Sequence, residues 1–210
     1  MRINLDSRIL SALTRIFDTL MATILFVLCC LPVVTIGAAA SAMYATMIRI
    51  AGDGCSSTAG YFFGVFKDNF KQASVIWLPV ALVGLVVAAD IVACWGFEMK
   101  LTLILAVMRG LTVCCTCLYL AVSIYLFAGI AVYRVTWKQA LANALQWTMK
   151  KLPATAGLVL LSFVMAVSVL ILWYFALPVI ALCLYLQGKI LLHVFGLKVP
   201  ESHTDEEIQY

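Results

Sequence analysis

The chain has 210 residues, 65% of them hydrophobic and 11% charged, with a formal net charge of +4. Soluble domains carry about 45–50% apolar and about 25% charged residues, so a water-soluble fold is excluded and lipid has to be the solvent. The 14 Lys and Arg are scattered and form no basic run, which argues against nucleic acid and leaves them as topology signals.

Arg2, Arg8 and Arg15 lead into a first apolar run, Ile16–Leu31. No small-x-small cleavage site follows it, so the run is expected to be a retained membrane helix, not a signal peptide. A second, Ala-rich run, Val33–Ile50, begins directly after Pro32. Both runs are near the short limit for a span, about 17–25 residues, so the pair is either a short hairpin or a re-entrant loop.

In Cys55–Gln72, Phe62, Phe63, Phe66 and Phe70 recur at helical spacing, with Lys67, Asp68 and Lys71 set between them. The pattern predicts an amphipathic helix, lying on the membrane surface or packed against the cytosolic end of a bundle. Ala73–Trp95 follows as a span containing Pro79, with Trp77 and Trp95 near its ends as interfacial anchors. Leu101–Tyr133 would be about 50 Å long as one helix, so it must tilt, protrude or begin with a short non-spanning piece.

Thr136–Gln139 reads as a capping box that opens a second surface helix, Thr136–Leu152. Its apolar face is expected to hold Trp137, Leu141, Leu145, Thr148 and Leu152. Pro153 closes it, and Ala154–Trp173 and Leu177–Phe195 are the last two spans. The acidic tail, residues 200–210, is expected to be disordered. The fold class is therefore all-α: one helical membrane domain, residues 1–199, with about six membrane segments and two cytosolic amphipathic helices.

With both termini cytosolic, every Lys and Arg except Lys100 and Arg109 falls on the cytosolic side. That bias requires an even number of crossings before residue 72, which either a hairpin or a re-entrant pair satisfies. Of the eight cysteines, all but Cys55 sit inside apolar runs, without metal-ligand spacing and far from His193 and His203. They read as small hydrophobes, and neither a metal nor a cofactor is expected.

Asp90 and Arg109 are the ionisable residues that most need explaining, because a charge in lipid is costly. A hairpin centred between Trp95 and Lys100 brings them within reach of a structural ion pair. Contact with a substrate is the second reading, and an Arg109 placed at the outer interface is the third. Lys189 and His193 lie near the cytosolic end of the last span, where Lys can snorkel to the headgroups. The sequence shows no pair of catalytic acids, no Ser/His/Asp set and no phosphate-cradling Gly loop, so an enzyme is not expected.

Two stretches, Leu31-Pro32-Val33-Val34-Thr35-Ile36-Gly37-Ala38-Ala39 with Ala42-Met43-Tyr44 after it, and Phe63-x-x-Phe66-Lys67-Asp68-Asn69-Phe70-Lys71-Gln72, resemble the YesL family. The family-like turn is Pro32, Thr35 and Gly37, although the family often has Pro where this chain has Ala38. The resemblance implies a small protein of the bacterial cell membrane with no established activity, often encoded beside carbohydrate-uptake systems. It supports an accessory component that contacts ABC-type sugar transporter subunits. Phe63, Phe66, Phe70, Trp137 and Trp147 on the two surface helices are the candidate docking residues. The rival reading is an independent small-solute transporter or channel, motivated by the Pro breaks, a weak internal duplication and the intramembrane charges.

Overall fold

A computed structural model describes residues 3–52, 57–96, 102–133, 137–171 and 176–196. Among these, the chain forms seven α-helices: α1 (Ile3–Cys29), α2 (Ile36–Ala51), α3 (Thr58–Gly96), α4 (Thr102–Tyr133), α5 (Trp137–Lys150), α6 (Leu152–Ile171) and α7 (Ala176–Phe195). Six of them contain a stretch long and apolar enough to cross a membrane; α5 does not. The protein is a helical membrane bundle. The acidic tail, Cys55 and the Thr136 cap lie outside the described residues.

The centre of the bundle is α2, which packs against α1, α3, α4 and α7. Its composition explains this placement. Gly37, Ala38, Ala39, Ser41, Ala42, Ala45 and Thr46 are all buried, and small side chains let neighbouring backbones approach closely. Buried hydroxyls on this helix bond within it, Ser41 to the Ala38 carbonyl (2.9 Å) and Thr46 to the Ala42 carbonyl (2.7 Å). No polar group on those two side chains is then left unpaired in an apolar interior.

At one end of the α2–α3 pair Gly37 meets Ala73 and Trp77, and at the other the Arg49 guanidinium lies 4.4 Å over the Tyr61 ring. The two helices therefore run antiparallel along the whole of α2.

Two sequence expectations are corrected by this packing. The Phe-rich segment is not a separate surface helix, because α3 runs unbroken for 39 residues, about 58 Å, through both that segment and the following span. Phe62 is fully buried against Ala22, Ala42, Met43 and Leu184, so the segment is held by the bundle core. The long fourth run is one helix of 32 residues, which leaves tilting or protruding of the alternatives that its length allowed.

The second correction concerns α5. Its buried face is Ala140, Ala144 and Thr148, whereas Leu141, Leu145 and Met149 point away from the bundle, and Leu152 belongs to α6. The small residues pack because they admit α4 closely, and the Leu stripe is left for the lipid interface. The helix is amphipathic as expected, with its larger apolar face turned outward.

Candidate functional site

The family-like turn is built from its own sequence. Pro32 ends α1 and takes extended φ/ψ (−80°, 123°), and a 3-10 turn, Val33–Thr35, follows. The Thr35 hydroxyl lies 2.6 Å from the carbonyls of both Cys29 and Pro32, so it satisfies an end carbonyl of α1 that the helix leaves without a partner. One turn later, a Cβ on Gly37 would stand 2.5 Å from the Ala73 carbonyl oxygen and 2.7 Å from Trp77 Cβ. Pro32, Thr35 and Gly37 thus form one device, a stop, a cap and a close approach that joins the α1–α2 hairpin to α3. Leu31, Val33 and Val34 are left exposed at its tip.

The candidate docking residues separate into two environments. Phe66 is half-buried, 6.4 Å from the Phe62 ring and 5.5 Å from the Phe70 ring. Phe63 and Phe70 are 42% and 37% exposed, and Lys67 and Lys71 stand exposed beside them. Trp147 lies instead inside an aromatic cluster, with ring centroids 4.8 Å from Phe195, 5.5 Å from Tyr133 and 6.4 Å from Tyr125. That cluster joins α4, α5 and α7. Next to it, Lys151 Nζ donates to the Val194 carbonyl (2.8 Å), capping the end of α7. Trp137 opens α5, and its side chain is not among the described ones.

Asp90 and Arg109 form no ion pair. The α3–α4 register places Arg109 beside Cys94, where its Nε donates to the Cys94 carbonyl (3.1 Å) and its guanidinium lies 5.8 Å from the Trp95 ring centre. A hairpin centred between Trp95 and Lys100 would have set Arg109 opposite residue 86, about eight residues further along α3. Arg109 is thereby set beside Trp95, near the end of α3. Asp90 is exposed on the surface of α3.

Sequence reasoning missed Gln187, which is fully buried on α7. Its Nε2 donates to Ser162 Oγ (3.0 Å) and toward the Leu158 carbonyl (3.5 Å), while its Oε1 has no partner. A search limited to charged residues passes over it. An amide next to Gly188 inside an otherwise apolar run was the available signal. An unpaired buried carbonyl costs about 1–3 kcal/mol. Gln187→Leu should therefore be tolerated or stabilising, whereas Ser162→Ala, which also strips Nε2 of its better acceptor, should cost about 1–2 kcal/mol. Reversible unfolding of both variants in mixed micelles checks this. A Gln187→Leu protein less stable than Ser162→Ala would contradict it.

Among the described residues no group of three or more His, Cys, Asp or Glu side chains is placed to hold a metal. Cys114, Cys115 and Cys117 are free and exposed on α4. No curated protein and no solved structure matches the chain. Residues 19–91, which run from the second half of α1 through the Pro32 turn and α2 to Ile91 on α3, match the model of a family described as a protein of unknown function, DUF624.

Proposed function

We propose that this chain is a non-enzymatic component of the bacterial cell membrane that serves carbohydrate uptake by contacting subunits of an ABC-type sugar transporter. Both termini lie in the cytosol in this reading, and the name YesL-like fits the turn and the Phe-rich segment. The observation that carries it is the amino-terminal half of α3. There Phe63 and Phe70 stand exposed beside Lys67 and Lys71, although Phe62 on the same helix is fully buried. Aromatic side chains left out of a core, rimmed by cations, are the composition of an interface anchor.

The rival, an independent small-solute transporter, draws on the unpaired Gln187 oxygen within the bundle. Affinity purification of the full chain from native membranes separates the two. Co-isolation of a sugar-importer subunit, lost when Phe63 and Phe70 are both changed to Ala, is the expected result. Solute flux by the reconstituted protein alone, with no co-purifying subunit, would replace this reading with the rival.

A further inference from the structure

Beyond the level of Gly37, α3 runs on without α2. Its buried residues end at Ser74, and the segment Leu78–Gly96, about 28 Å long, holds no buried residue and packs on α4. The two helices form an arm. It is pinned by Tyr119, whose hydroxyl donates to the Val80 carbonyl (3.2 Å) over the space that Gly84 leaves open, and by a 3.4 Å contact between Cys94 Sγ and Thr112 Oγ1.

Asp90 stands on the outer surface of this arm, on one face with the exposed Val83, Val86 and Ala93. A carboxylate within a span is expected to face a bundle interior or an opposite charge, since lipid solvates it poorly. Here it faces out of the monomer. One helical turn further along the same face is Cys94, whose carbonyl receives Arg109 Nε. The other two nitrogens of that guanidinium have no hydrogen-bond or ion-pair partner among the described residues. The arm therefore presents one exposed anion and one under-used cation, one turn apart in depth.

We propose that two copies of this chain pair through their α3–α4 arms, the Asp90 carboxylate of each copy receiving the Arg109 guanidinium of the other. Copies inserted in the same orientation are related by a two-fold axis along the membrane normal, so the contact is isologous, and each Arg109 side chain reaches across the one turn of depth, about 5.4 Å, to the partner's Asp90. Two ion pairs form, and each removes a charge from lipid. The surface around Asp90 suits such an approach, because Val83, Val86 and Ala93 on that face are small and exposed.

The experiment uses the full chain in nanodiscs and reads its mass and dimer fraction. Wild type is expected to be dimeric. Asp90→Asn and Arg109→Gln should each raise the dimer dissociation constant by about a hundredfold or more. Asp90→Glu keeps the charge and should keep the dimer, which separates loss of pairing from loss of fold. Differently tagged Asp90→Asn and Arg109→Gln chains, expressed together, should co-purify more strongly than either does with itself, because that heterodimer retains one intact pair. A monomeric wild type, or an Asp90→Asn chain that dimerises like wild type, would overturn the proposal.

Discussion

Alanine at Gly188 or Gly37 should destabilise the bundle, while the same exchange at Gly64 should not. A Cβ on Gly188 would lie 2.7 Å from Met47 Cβ, 2.8 Å from its carbonyl carbon and 2.9 Å from its carbonyl oxygen. The atoms in the way belong to the α2 backbone or are fixed to it, so no rotamer change relieves the clash and the helices must separate. Overpacking of this kind costs about 1–3 kcal/mol. Gly37 is as tight against the Ala73 carbonyl, and its alanine variant should lose a similar amount. At Gly64 nothing lies within 4 Å. There the methyl meets no obstacle and gains about 0.5–1 kcal/mol of helix propensity. Thermal unfolding of the three variants in one detergent decides the matter. Equal melting temperatures at Gly188 and Gly64 would show that the α2–α7 contact is looser than described.

Trp147→Ala should have the largest effect of any single substitution on the surface helices. The indole packs on Phe195, Tyr133 and Tyr125 and reaches to 3.4 Å of a Cβ position on Gly129. Removing a large aromatic from such a cluster costs about 3–5 kcal/mol. Ala140, Ala144 and Thr148, the rest of the buried face of α5, are small, so the helix has little other apolar area to hold it. It should detach before the bundle melts. The expected observation is faster tryptic cleavage at Lys138 and Lys150, with a lowered melting temperature, while Trp147→Phe retains most of the protection. Unchanged cleavage and melting would return Trp147 to a docking role.

Much of the molecule was legible in the chain because lipid imposes a simple rule. Every backbone polar group must be satisfied within its own segment, so length and hydropathy alone locate the spans. The break at Pro32 was also legible, since a proline stop is local, whereas the close approach at Gly37 depends on Ala73 and Trp77 of α3. The continuity of α3 was not. Charges at Lys67, Asp68 and Lys71 look like the end of a surface helix, and only the burial of Phe62 against α2 and α7 shows why the helix continues through them.

The same division runs through the candidate site. The sequence by itself determined the all-helical membrane class, the number of long apolar segments and the identity of the costly residues Asp90 and Arg109. The tertiary structure decided what those residues face. The α3–α4 register moves Arg109 to Cys94 and leaves Asp90 outside, and α5 turns an Ala/Thr face inward in place of its Leu face. Nor does the sequence alone show that Gln187 is buried with one oxygen unpaired. Periodicity shows how many faces a helix has, but which face is covered depends on the side-chain volumes and crossing angles of helices distant in the chain.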